Sequence, residues 1–216
     1  MTERPLCPRC QKRRPERFCP AVGEKICAVC CGTERERTLD CPADCAYLIK
    51  AHRYEMEHRE PPAASDIPFG DTEIARNTVY ENEPLVTGLA QTVLETSTRR
   101  PELTDAEAVQ AVTALGETYR TLISGIYYAK RPDAPLPALL YEALSAFIDQ
   151  FKKETAASGQ AVPKDSAIFA VLVYVARVGS SSTNGRPRSR LFLELLRAGT
   201  PQAAAPAAEP SRIIVP

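Results

Sequence analysis

Ile168-Phe-Ala-Val-Leu-Val-Tyr-Val-Ala-Arg-Val178 is apolar on nearly every side, however the backbone is wound. Two structures suit such a run. One is a buried strand, which the β-branched Val171, Val173 and Val175 favour. The other is the central helix of a bundle, apolar all round because neighbours cover every face. A strand must pair, and no other stretch of the chain carries a convincing strand pattern, so the run reads as a helix. Its longest uninterrupted apolar part, Ala167 to Ala176, falls well short of the roughly 20 residues a bilayer span needs.

Outward from this run the chain is a series of amphipathic segments separated by breakers. On the N-terminal side, Leu136, Leu139, Leu140, Ala143, Leu144, Phe147, Ile148 and Phe151 form a stripe at helical spacing. Before it, Thr104-Asp-Ala-Glu107 is a capping-box pattern that opens a stripe of Val109, Val112, Leu115, Tyr119, Leu122, Ile123 and Ile126. Leu85, Val86, Leu89, Val93 and Leu94 follow Pro84 in the same way. On the C-terminal side a short helix is expected over 188–197, with Leu191, Phe192, Leu195 and Leu196 inward. Pro132 and Pro135, Gly159 and Pro163, and the stretch 179–185 punctuate these segments. The fold class that follows is mainly α, with a helical bundle over 84–198. The Ala/Pro-rich residues 199–216 read as a disordered tail.

The first part of the chain is different. All 8 cysteines fall between Cys7 and Cys45, in the order Cys7-x2-Cys10-x8-Cys19-x7-Cys27-x2-Cys30-Cys31-x9-Cys41-x3-Cys45. The N-terminus is polar, without the apolar segment of a secretory signal, so a reducing cytoplasmic setting and metal ligation are expected rather than disulfides. Two Cys-x2-Cys knuckles are the common zinc half-site, and eight thiolates make two complete tetrads. A closed tetrad leaves no open coordination position, so the expected cofactor is two structural Zn2+ ions. Residues 1–46 are thus a two-zinc finger. A polar helix and an unpatterned linker, broken by Pro61-Pro62, occupy 47–83. Cys41-Pro-Ala-Asp-Cys45 looks like the start of that helix, with Pro42 near its first turn. His52 and His58 lie on it and read as exposed surface residues rather than ligands.

The cysteine order resembles a B-box, a small cross-brace zinc finger. Cys7 and Cys10 match its first knuckle, Cys19 its lone ligand and Cys27 and Cys30 its second knuckle, while Cys41 and Cys45 stand where B-boxes carry histidines. The resemblance implies a cross-braced first site of Cys7, Cys10, Cys27 and Cys30. The position three residues after the lone ligand, a carboxylate or cysteine in B-boxes, is Val22 here. Assigning the spare thiol Cys31 in its place makes the second site Cys19, Cys31, Cys41 and Cys45, with an exchange of Cys30 and Cys31 as the rival pairing. A second resemblance rests on Asn184-Gly-Arg-Pro-Arg-Ser-Arg190 with its following helix, Cys30-Cys-Gly-Thr-Glu-Arg-Glu36 and Cys41-Pro-Ala-Asp-Cys45. These look like a family of uncharacterised bacterial proteins in which a cysteine-rich N-terminus precedes a helical domain. That resemblance implies the architecture and no activity.

No glycine-rich phosphate loop, Gly-x-Ser-x-Gly elbow or Glu-x-x-His pair is present, so the chain is not expected to be an enzyme. Three functions remain. The first is a protein-interaction adapter. The second is nucleic-acid binding through Arg9, Lys12, Arg13, Arg14 and Arg17 with Arg186, Arg188 and Arg190, which the balance of 27 basic and 27 acidic residues disfavours. The third is a thiol redox or metal sensor built on Cys30-Cys31. Arg186, Arg188 and Arg190 precede a helix whose dipole prefers anions at that end. They are therefore candidates for docking a partner's acidic group, the alternative being pairing with carboxylates within the chain.

Overall fold

The computed structural model describes residues 5–58, 63 and 66–199. Among these the chain forms β1 (Arg17–Cys19), β2 (Glu24–Ile26), α1 (Ala28–Glu34), α2 (Ala46–Glu57), α3 (Arg76–Glu81), α4 (Glu83–Arg99), α5 (Asp105–Ile123), α6 (Pro135–Ala157), α7 (Asp165–Ser182) and α8 (Leu191–Gly199). The fold is mainly α, as expected, and no helix among the described residues is long and apolar enough to cross a membrane. Pro61-Pro62 and the C-terminal tail from 200 onward lie outside the described residues.

The run that opened the sequence reading is helical, as α7, and it is central. Ile168, Val171, Leu172, Val173 and Ala176 are fully buried, with α5 packed most extensively against it and α3, α4 and α8 around it. Gly179 near its end permits the closest of these approaches. A Cβ there would stand 2.7 Å from Cγ2 of Val109 and 3.1 Å from the Phe192 ring. The capping box at α5 forms in full, with the Thr104 N–H donating to Glu107 Oε2 at 2.8 Å.

Three details of the stripes differ from expectation. Leu195 is 48% exposed and Leu193 takes its inward place, because α8 begins at Leu191 rather than near Arg188 and presents Phe192, Leu193 and Leu196 to the bundle. Ile123 and Ile126 are exposed because α5 ends at Ile123 and the chain turns at Gly125, whose φ is +80°. Leu139 is partly exposed beside the buried Leu140.

The segment read as an unpatterned linker is largely part of the bundle. Phe69 is buried at 7% exposure, meets Phe169 edge-on at 5.5 Å between ring centroids, and sits where a side chain on Gly116 would strike it, 2.7 Å from a Cβ. Arg177 on α7 donates to the carbonyls of Pro68, Phe69 and Thr72, fastening the loop to the central helix. Phe69 has a positive φ of 56°, and its packing holds it there. Sequence pattern misses this segment because a single anchoring aromatic has no period. A fragment from Asn82 to Gly199, the boundary that the stripes suggest, is expected to fold less stably than one from Asp66 by about 4 kcal/mol, the scale of a lost buried phenylalanine. Urea midpoints of the two fragments measure the difference, and equal midpoints would show that Phe69 contributes nothing.

Candidate metal centre

The finger is assembled around sulfur. Its buried cluster consists of Cys7, Cys19, Ile26, Cys27, Cys30, Cys31 and Leu39, so only two of its members are not cysteine. β1 and β2 pair antiparallel, Arg17 opposite Ile26 and Cys19 opposite Glu24, around a turn in which Gly23 has a φ of 76°. This hairpin carries Cys19 inward and delivers the chain to Cys27. The strands are three residues each, too short to register as alternation in the sequence.

The sulfurs of Cys7, Cys10, Cys27 and Cys30 all lie within 4.8 Å of one another, and this tetrad can hold a metal ion. The local backbone explains the convergence. Cys7 to Cys10 is a tight knuckle closed by the Gln11 N–H donating to the Cys7 carbonyl at 2.7 Å, with Gln11 at a φ of 51°. Cys27 is the N-cap of α1. Its sulfur accepts the Cys30 N–H at 3.4 Å, while its own N–H donates to the Cys7 sulfur at 3.2 Å. Amide donors aimed at sulfur stabilise thiolates and are the usual outer shell of a metal–thiolate site.

The acidities fit a cation site. The Lys12 N–H, with the Arg13 N–H behind it, overcomes burial to bring the Cys10 thiol down to about 6. Burial acts against ionisation of Cys7, but the Cys27, Cys10 and Arg9 N–H groups outweigh it and lower that thiol too. Cys30 is pushed strongly upward, first by burial and then by its three neighbouring sulfurs. A set of thiols in which some ionise readily and the last resists needs a positive ion at its centre before all four can be thiolates.

Cys30 and Cys31 are neighbours on α1 and therefore point about 100° apart. Cys30 joins the tetrad, and Cys31 faces a separate small cavity lined also by Cys19, Cys41 and Cys45. Among the described residues, these four sulfurs do not converge as tightly as the first set. Burial pushes the Cys41 thiol up, the Glu36 N–H opposes it, and the charges of nearby Cys19 and Cys45 raise it further. Cys45 is the N-cap of α2, which begins at Ala46, so Pro42 lies just before the helix. The Cys45 N–H donates to the Pro42 carbonyl at 3.0 Å.

The other singled-out residues fall largely at the junction of finger and bundle. His52 is not an exposed surface residue. Its Nε2 lies 2.9 Å from Oε2 of Glu36, with the side chain largely covered. His58 is exposed and stacks on Tyr54. Arg186 contacts Glu55 at 2.7 Å and Glu36 at 3.5 Å. Arg190 pairs with Asp40 at 2.6 Å and donates to the Pro101 carbonyl at 2.8 Å. Arg188 has an exposed side chain, and its N–H donates to the Glu36 carbonyl at 2.9 Å. Arg186 and Arg190 thus take the intramolecular alternative.

The anion that the helix start called for is also within the chain. Asp105, fully buried at the first position of α5, accepts from the Phe192 and Leu193 N–H groups of α8 and from Ser189 Oγ at 2.7 Å. Sequence analysis singled out neither Glu36 nor Asp105. The bundle partners of Glu36, Asn184 and Arg186, lie 148 and 150 positions away, and Ser189 lies 84 from Asp105, so no local spacing marks these pairings. No family model, curated protein or solved structure matches the chain.

Proposed function

We propose that this protein is a non-catalytic, zinc-binding interaction adapter in which two structural zinc ions hold the N-terminal finger rigid. The first ion is bound by Cys7, Cys10, Cys27 and Cys30 and the second by Cys19, Cys31, Cys41 and Cys45. The convergence of the first tetrad within 4.8 Å, with backbone N–H groups aimed at its sulfurs, carries the reading. The grouping of the other four cysteines around one cavity supports a second ion. Four thiolates per ion leave no position for a substrate or an activated water, which favours structure over catalysis.

With sulfur and metal as its interior, the finger turns apolar side chains outward. Leu6, Phe18 and Val29 are exposed, and Phe18 lies opposite the exposed Lys25 across the hairpin. Such a surface suits a protein partner. Much of the basic charge that nucleic acid would need is already engaged. Arg9 pairs with Glu34, Arg17 lies 4.8 Å over the Tyr47 ring, and Arg186 and Arg190 are in ion pairs. Elemental analysis with native mass spectrometry is expected to find two zinc ions per chain. One ion, or coloured iron, overturns the two-site assignment. Cross-linked capture with and without nuclease tests the adapter role. Protein partners should survive nuclease and be lost with Phe18→Ser, whereas partners released by nuclease would favour the nucleic-acid reading.

A further inference from the structure

Glu36 is tightly constrained. It is 2% exposed, non-glycine, and held at a φ of 53°. Its three polar groups reach three places. The N–H donates to the Cys41 sulfur. The carbonyl accepts the Arg188 N–H at 2.9 Å. The carboxylate meets His52 at 2.9 Å, the Asn184 side-chain amide at 2.8 Å and Arg186 at 3.5 Å. One residue therefore touches a sulfur of the second cysteine set, helix α2 and the loop that leads from α7 to α8.

The second cysteine set also controls where these groups stand. Glu36 lies on the loop between Cys31 and Cys41, a loop wound tightly by three N–H groups, of Arg37, Thr38 and Leu39, converging on the Glu34 carbonyl. Both ends of that loop are cysteines of the second set. A third member, Cys45, caps α2, and α2 supplies His52 and Glu55. Glu55 in turn bridges Arg35 of the finger loop, at 3.0 Å, and Arg186 of the helical domain, at 2.7 Å. The first tetrad makes none of these contacts among the described residues. A positive φ on a buried glutamate is maintained only while its surroundings over-determine it, and here those surroundings include the Cys41 sulfur.

We infer that metal at the second cysteine site holds the helical domain against the finger through Glu36, so that gain or loss of that one ion locks or releases the 184–190 segment. The inference rests on the two-site reading above. With Cys31 and Cys41 bound to one ion, the loop is closed, the Glu36 N–H faces a thiolate and its carboxylate is presented to Asn184 and Arg186. Without the ion the loop loses its closure, and two carboxylates and two arginines no longer meet in register. Because coupling between two sites is reciprocal, weakening the junction must also weaken the ion, and only that ion. The two ions of the finger thereby take different roles. The first holds the knuckles together, and the second reports to the bundle.

The full-length zinc-loaded chain tests this with a chromophoric chelator and hydrogen exchange. Wild type should release its two ions in two phases. Once the faster ion has left, amide exchange over 184–190 should rise at least about tenfold, the step that about 1.4 kcal/mol of lost coupling gives, while α5 and α7 stay protected. Arg186→Gln, which alters the junction and no cysteine, should speed release of the faster ion by a similar factor and leave the slower one unchanged. Two ions with unaltered release in Arg186→Gln, or unaltered exchange over 184–190 after one ion is lost, overturns the coupling and leaves the two-site reading standing. A wild-type chain that yields one ion overturns both.

Discussion

Serine at position 27 is expected to unfold the whole finger while the helical bundle stays folded. Cys27 supplies a sulfur to the tetrad, caps α1 by accepting the Cys30 N–H, and donates its own N–H to Cys7. Serine can retain the cap, so the test isolates the metal–sulfur bond. The finger has little else to stand on. Among the described residues, Ile26 and Leu39 are its only buried apolar side chains besides the cysteines, and each contributes at most about 1.5–3 kcal/mol on burial. A structural zinc ion contributes on the order of 10–16 kcal/mol to a small module of this kind. Removing one ligand of four should therefore exceed the stability of the finger. Cys27→Ser is expected to lose the first-site ion, and the β1–β2 amides should exchange at unfolded rates. Helical circular dichroism should fall by no more than α1 and α2 supply. Retained metal and protected hairpin amides in Cys27→Ser would show that the first tetrad is not the finger's foundation.

Alanine at position 105 should have the largest effect within the bundle, destabilising it by about 4 kcal/mol, because several donors lose one acceptor together. The Asp105 carboxylate receives Ser189 Oγ, the Phe192 and Leu193 N–H groups and the Thr183 hydroxyl, all at the point where α8 begins. Two of these donors are the otherwise unsatisfied amides of a helix N-terminus, buried where water cannot replace the lost acceptor. The reciprocal bond, from the Asp105 N–H to the Ser189 carbonyl at 2.9 Å, survives the substitution, which keeps the effect local. α8 should detach, exposing Phe192 and Leu193, and thermal unfolding should broaden as well as shift. Ser189→Ala removes one donor rather than the acceptor and should lose about 1 kcal/mol. Equal effects of the two variants would contradict the capping role.

Asp105 also predicts an unusual pH dependence. Burial raises its pKa, more than the four donors lower it. The folded state therefore holds this proton more tightly than the unfolded chain does. Its contribution to stability is fully present below the unfolded aspartate value near 3.9 and is lost as pH rises through the higher folded value. Asp105→Asn, which cannot ionise, should compare least favourably with wild type in acid, and its deficit should shrink toward neutral pH. A deficit that grows with pH would mean that the carboxylate is stabilised as an anion and that burial does not dominate.

The capping box at Thr104, the inward faces of α4, α5 and α6, and the helical state of 168–178 were all legible in the sequence, because each depends on residues within a few positions of one another. The helical state of α7 needed one further argument, the lack of a partner strand, and that too was available from the chain. The first metal tetrad was legible for a similar reason, since a Cys-x2-Cys knuckle turns its own sulfurs together. The way two knuckles meet is a longer-range matter that the B-box likeness supplied. Whether Cys30 or Cys31 joins them depends on α1, whose turn sends adjacent side chains in different directions.

Other features depended on which distant segments meet. Phe69 is a core residue because Gly116 leaves room for its ring, and Arg177 binds the backbone around it. His52 is covered because Glu36 is brought against α2. Arg186 and Arg190 look like a free basic patch beside a helix start until the tertiary structure places Glu36, Glu55 and Asp40 opposite them. Asp105 then caps that helix at Leu193, 88 positions away along the chain. Sequence by itself determined the longer helices and a cysteine set able to hold a metal ion, since periodicity and ligand spacing are local. Only the tertiary structure decided which charges are satisfied and by what, because an ion pair has no period and its partner can lie anywhere along the chain.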